Sequence, residues 1–187
     1  MAKITVQNDR TRAQEEVQGS DGRLNTSSRS DNRAYYNSRD EEQCYSMSFS
    51  HDAAADGEYS FYLKNISTTK TLVITNIEVN AANIARLKLW EVTGTAADGV
   101  ARIPKNQNLA SSNAADVTAL HDGAGTTISG LSTSGAELDD LSVVANGHSQ
   151  FHLNDRLRLG QNDAIAVEMD TGTSTPLVYG TVFFYFE

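Results

Sequence analysis

CYSMSFS, residues 44–50, places Tyr45, Met47 and Phe49 on one side of an extended chain and Ser46, Ser48 and Ser50 on the other. Side chains alternate between the two faces of a pleated strand, so this pattern marks a strand with one buried face. The stretches that follow repeat the pattern. EYSFYLKN (58–65) turns Tyr59, Phe61 and Leu63 inward, after the turn HDAAADG. TLVITNIEV (71–79) starts with Leu72 and Ile74 in phase and ends with Ile77 and Val79 out of phase, which predicts a bulge near Thr75 or Asn76. IARLKLWEVTG (84–94) carries Leu87 and Leu89 on one face and Trp90 and Val92 on the other. LSVVA, SQFHL, AIAVEM and PLVYGTVFFYFE complete the series, separated by NGH, NDR, GQND and DTGTSTP.

Roughly eight strands with turn signals about every ten residues, and no amphipathic helix in the body, predict an all-β fold. The expected architecture is an antiparallel β-sandwich, most simply a jelly roll, over residues 43–187. Between about 94 and 134 the apolar content falls in an Ala/Ser/Asn/Gly-rich excursion with room for two short strands. A connection of that length inside a compact domain is often functional. The last strand is apolar on both faces, with Leu177, Tyr179, Phe183 and Tyr185 opposite Val178, Val182, Phe184 and Phe186. Both faces of such a strand are covered, one by the core and the other by the arm, a loop or another subunit. Self-association through Tyr179, Val182, Phe184 and Phe186, most simply as a homotrimer, is the expectation.

Upstream of residue 43 the pattern disappears. Residues 1–42 are rich in Gly, Ser, Asn, Asp and Arg and read as an extended N-terminal arm. Asp9 could cap a helix over 9–18, but that segment has almost no apolar face for packing to hold. The arm's basic residues are nearly balanced by its acidic ones, so most of the net charge of −9 belongs to the body. A body of that sign is a poor partner for nucleic acid. No apolar h-region opens the chain and no stretch approaches a membrane span, so synthesis and folding in a cytoplasm are expected.

Signals for chemistry are weak. His148 and His152 share a strand face, as metal ligands in a jelly-roll enzyme would, but no carboxylate or third histidine stands at matching spacing. Asp139 and Asp140 point to opposite faces, a poor arrangement for paired acid–base work. HDGAG (121–125) and DTGTS (170–174) resemble fragments of phosphate and protease motifs but lack the strand-to-helix or two-lobed setting. Cys44 is the single cysteine and reads as a small buried hydrophobe. Trp90 could stack on a sugar, but its strand setting favours a packing role. The expectation is no enzyme, no catalytic residue, no cofactor and no metal site.

GSDGRLNTSSRSDNRAYYNSRDEEQCYSMSF, YSFYLKNISTTKTLVITNIEV and LKLWEVTGTAADG together resemble small virion structural proteins of tailed bacteriophages. The likeness spans residues 19–95 and fades in the excursion. It implies a capsid decoration, or cement, protein: a β-domain, often trimeric, whose arm lies on the capsid lattice. The major capsid protein would be the partner and the capsid surface of the virion the location. On that reading Arg23, Arg29, Arg33 and Arg39 pair with capsid carboxylates, while Leu24, Tyr35 and Tyr36 supply apolar anchors. The alternative is a receptor- or glycan-binding module of a tail or head fibre, with the excursion as its binding loop.

Overall fold

A computed structural model of the chain describes residues 4–7, 14–17, 38, 41–52, 55–123, 126–170 and 177–187, the first two segments by backbone alone. The chain divides into two compact units, Met1–Asp31 and Asn32–Glu187. In the first, β1 (Ile4–Gln7) pairs antiparallel with β2 (Gln14–Val17), Ile4 opposite Val17 and Gln7 opposite Gln14. This corrects the helix considered over 9–18 and the reading of the whole arm as extended. A helix without an apolar face gains little from its surroundings, whereas a hairpin closes its own backbone ladder.

The second unit contains β3 (Cys44–Asp52), β4 (Tyr59–Asn65), β5 (Leu72–Ala81), β6 (Ala85–Ala97), β7 (Val100–Ala101), β8 (Lys105–Asn106) and β9 (Val117–His121). It continues with β10 (Ser129–Thr133), β11 (Asp139–Val143), β12 (Gly147–Phe151), β13 (Leu157–Leu159), β14 (Ala164–Met169) and β15 (Leu177–Phe186). They form two antiparallel sheets packed as a sandwich. One runs β10-β6-β14-β4-β9-β7, with β11 beside the first half of β6. The other runs β12-β5-β15-β3-β8, with β13 beside β5. From β3 to β6, and again from β11 through β12 and β14 to β15, the chain crosses between the sheets. The registers Leu177–Asp52, Val178–Ala81, Gly147–Ala81 and Val143–Ala85 gather the β3–β4, β5–β6, β11–β12 and β14–β15 connections at one end.

Core-facing side chains alternate as their strands dictate. Tyr45, Met47 and Phe49 from one sheet meet Phe61, Leu63, Leu87, Leu89, Ile165 and Val167 from the other, all buried. The rings of Phe49 and Phe61 bridge the sheets, with centroids 5.0 Å apart. The bulge expected in β5 is present: Phe183 pairs with Asn76 and Phe184 with Ile74, so Thr75 is the extra residue. That insertion lets Ile74 and Ile77 both face the core despite their odd spacing. Gly180 in β15 makes room for the Phe49 ring. A Cβ there would lie 2.2 Å from Phe49 Cζ and 2.7 Å from the Glu78 carbonyl oxygen. Gly180→Ala is therefore expected to destabilise the sandwich by about 1–3 kcal/mol through overpacking. A urea midpoint equal to wild type would show that the ring moves aside freely.

The C-terminal strand requires a correction. Val182, Phe184 and Phe186 are buried in this chain's own core together with Val178, so they present no surface to a second subunit. The opposite face is also partly closed from within. Tyr185 is buried in a small cluster with Cys44 and Val73, and only Tyr179 is substantially exposed, at 50%. The two-sided apolar pattern thus reflects a central strand between β3 and β5 with cover on both faces. The excursion is more ordered than its composition suggests. It holds four short strands after a β6 that runs on to Ala97. β9 extends one sheet beyond β4 and β8 extends the other beyond β3, so both sheets gain an edge strand from it.

Candidate functional site

β3 keeps its inward phase for one more step. After Tyr45, Met47 and Phe49 the next inward position is His51, only 1% exposed. A histidine in a hydrophobic series is a buried polar group that needs partners. They come from two other segments at the same end of the sandwich. Glu58 closes the β3–β4 turn, where Gly57, at φ +81°, donates its N–H to the Met169 carbonyl at 2.8 Å. Asp122 follows β9 and is 4% exposed, its own N–H donating to the Ser60 carbonyl at 3.1 Å. Asp122 Oδ2 lies 2.9 Å from His51 Nδ1 and Glu58 Oε2 lies 3.7 Å from His51 Nε2. One donor atom from each of the three lies within 4.8 Å of the others.

The electrostatics of this corner are set by burial. Desolvation lowers the pKa of His51, outweighing the opposing pull of Glu58, Asp52 and the Tyr59 backbone. A neutral imidazole cannot hold Asp122 ionised as a cation would. Burial first, and then the charge of Glu58, push Asp122 up to about 6. The 2.9 Å approach also lacks hydrogen-bond alignment, for neither ring nitrogen of His51 makes an aligned hydrogen bond, nor does Asp122 Oδ1. Beside it, His121 is buried and its Nδ1 lies 3.1 Å from the Ser50 carbonyl. A carbonyl only accepts, so the hydrogen is on Nδ1. Imidazole with two carboxylates is a donor set suited to a divalent metal.

This corner was not anticipated. Its signal was the intrusion of His51 into an apolar alternation, with a second His-Asp pair at 121–122 inside the HDGAG string. The histidines that were weighed, His148 and His152, are both exposed, and His152 contacts Gln150 Nε2 at 3.0 Å. Asp140 faces away from Asp139 to pair with Arg86, whose Nε donates to both carboxylate oxygens at 3.1 and 3.0 Å. Trp90 is half-buried against a second apolar cluster built on Tyr62, Val92, Ile128, Ala164 and Ala166. The arm residues Arg23, Leu24, Arg29, Arg33, Tyr35, Tyr36 and Arg39 lie outside the described residues.

Cys44 is buried, and its thiol donates to Gln107 Oε1 at 3.0 Å. Desolvation pushes its pKa up to about 11. The reactive species is the thiolate, so the native chain is expected to be inert to a thiol reagent at pH 8 and to titrate one thiol once unfolded in urea. Rapid labelling of the native chain would show that this edge opens readily.

Among the described residues no helix is long and apolar enough to cross a membrane. No family model, no curated protein and no solved structure matches the chain.

Proposed function

We propose that this chain is a non-catalytic structural protein of a virion, a decoration protein of a tailed-phage head that binds the major capsid protein through its N-terminal arm. The observation that carries the reading is the division of labour along the chain. The described core of the sandwich is built from side chains between Tyr45 and Phe186, and a polar segment with few sizeable apolar residues precedes it in the sequence. The order of eight strands, β3-β15-β5-β12 opposite β4-β14-β6-β11, supports a jelly roll for that body. The resemblance of residues 19–95 to phage virion proteins supports the same role. Arg23, Arg29, Arg33 and Arg39 pair with capsid carboxylates, and Leu24, Tyr35 and Tyr36 anchor the arm. Beyond the β1–β2 hairpin, the roughly 25 residues up to 42, if extended, reach about 80 Å, enough to cross from one capsid subunit to the next. Copies associate as a homotrimer through a surface other than the inner face of β15.

The test adds wild-type, arm-deleted (residues 2–31 and 2–40) and Tyr35→Ala/Tyr36→Ala proteins to capsids lacking the native protein. Both deletions are expected to keep the β circular-dichroism signal and a cooperative melt, while the longer deletion and the double variant lose lattice occupancy at least tenfold. Full occupancy by the 2–40 deletion would overturn the arm's role.

A receptor- or glycan-binding role is the second reading, favoured by the excursion, where Ile103 and Leu109 are 79% and 91% exposed. Electron cryo-microscopy of virions separates the two. Density between capsomers supports decoration, and density confined to a tail or fibre tip supports recognition.

A further inference from the structure

We propose that His51, Glu58 and Asp122 form a binding site for one divalent transition-metal ion of the zinc class, which ties together β3, the β3–β4 turn and the chain after β9. The site is independent of the virion role. Its first support is convergence: His51 and Glu58, seven residues apart across the β3–β4 turn, meet the sequence-remote Asp122 with donor atoms within 4.8 Å of one another at the end of the sandwich. Its second is the state of those donors. His51 is enclosed, yet neither of its ring nitrogens makes an aligned hydrogen bond, and Asp122 Oδ1, equally buried, makes none. Buried polar atoms are paired almost everywhere in folded proteins, so several orphaned together point to a missing partner.

The bland alternative is a His–Asp hydrogen bond in a polar corner. With the Tyr59 backbone beside the ring and the Gly123 backbone beside the carboxylate, it accounts for the 2.9 Å approach of Asp122 to Nδ1 but gives Asp122 Oδ1 and the Nε2 edge facing Glu58 no aligned hydrogen bond. A cation coordinated by one nitrogen and two carboxylate oxygens uses all three groups. It also offsets the burial of two acidic side chains beside a neutral ring.

The donor types select the metal. Imidazole favours zinc and its neighbours over magnesium or calcium, which prefer all-oxygen shells of six or more ligands. Zinc takes one nitrogen and two oxygens readily, with water in a fourth position. Tetrahedral bonds of about 2.0–2.1 Å place ligand atoms roughly 3.3–3.4 Å apart, so a spread of up to 4.8 Å needs to contract by about 1.5 Å. The turn carrying Glu58 can supply that movement, since Gly57 sits at its bend and Glu58 is the most exposed of the three ligands.

The experiment uses the full chain, purified without a histidine tag and stripped with EDTA. Zinc, cobalt(II), magnesium and calcium are added separately. Expected are one equivalent of bound zinc, an intensified cobalt visible spectrum of a low-coordinate site, and a rise in melting temperature with zinc of roughly 5–10 °C at a hundredfold excess over Kd. Magnesium and calcium at the same concentration should leave the melt unchanged. Glu58→Gln and Asp122→Asn should melt cooperatively as apo-proteins and lose the spectrum and the zinc shift, whereas His148→Ala/His152→Ala should retain both. A wild-type chain that gives only the spectrum of the hydrated cobalt ion and no zinc shift would overturn the site. So would metal binding that survives both carboxylate variants.

Discussion

Replacing Phe184 by Ala is expected to lower stability by about 3–5 kcal/mol, the range for removing a buried aromatic ring. Phe184 is fully buried in the sandwich core. Its ring stacks on Tyr45 at 5.6 Å and meets Phe186 edge-on at 6.3 Å. The strand that bears it pairs with β3 on one side and β5 on the other. Backbone pairing on both sides hinders collapse of the strand into the void, so little of the lost contact is recovered. For a chain of this size the melting temperature should fall by roughly 10 °C. Phe184→Ser should be worse still, because a hydroxyl in that void has no evident partner.

The same substitution tells folding apart from assembly. Tyr179 is half exposed on the other face of β15, and Tyr179→Ser should change stability by no more than about 0.5 kcal/mol. If copies associate through that outer face, the Tyr179 variant should dissociate while keeping the wild-type melt. The Phe184 variants should lose assembly only in step with loss of fold. A Phe184→Ala chain with a wild-type melt and reduced association would return Phe184 to the interface and remove it from the core.

Apolar contrast decided which parts of the fold could be read from the chain. CYSMSFS sets large side chains against small ones, PLVYGTVFFYFE is apolar on both faces between polar turns, and both are strands at the expected positions. The phase slip in TLVITNIEV located a bulge to one of two residues. Strand β9 offered no such contrast. Its inward positions are Val117, Ala119 and His121, and its burial comes from pairing with β4. Likewise β13, three residues with Arg158 at the centre, is defined by its ladder to β5. The two apolar faces of β15 were legible, but not their covers. One packs on the opposite sheet, and on the other Tyr185 is buried beside its cross-strand neighbours Cys44 and Val73; the sequence pattern is the same whether a cover comes from within the chain or from another copy. The corner around His51 was hidden for a related reason. Asp122 lies within the excursion, more than sixty residues after His51 and Glu58, and only the pairing of β9 beside β4 brings it back to β3.

A second large effect is expected at Asn65, the last residue of β4, which is fully buried. Every polar group it has is used. Its N–H donates to the Asp163 carbonyl at 3.1 Å and its carbonyl accepts from Asn162 at 2.9 Å. The side-chain amide donates to the carbonyls of Lys70 and Leu159, each at 2.9 Å, while Oδ1 accepts from the Ser67 N–H at 2.9 Å. One side chain thus joins the end of β4, the β4–β5 turn and the end of β13. Asn65→Ala leaves three backbone groups without their partner. At roughly 1–3 kcal/mol for each buried group, and less for the partly exposed Lys70 carbonyl, the loss should be about 3–5 kcal/mol. Asn65→Asp preserves the shape and the acceptor for Ser67, but sets a carboxylate oxygen against two carbonyl oxygens. At pH 7 it should be at least as damaging as Ala. Protonation would restore one donor, and burial raises the carboxyl pKa in the folded state above its unfolded value of about 3.9. The folded variant then binds more protons than the unfolded one across that window. Relative to wild type, its stability should be highest below pH 4, fall as pH rises through the window, and level off above the folded pKa. Urea unfolding of both proteins at pH 4 and pH 7 measures this. A wild-type-minus-variant difference that is the same at both values would mean that the amide's two donated hydrogen bonds do not hold this junction together.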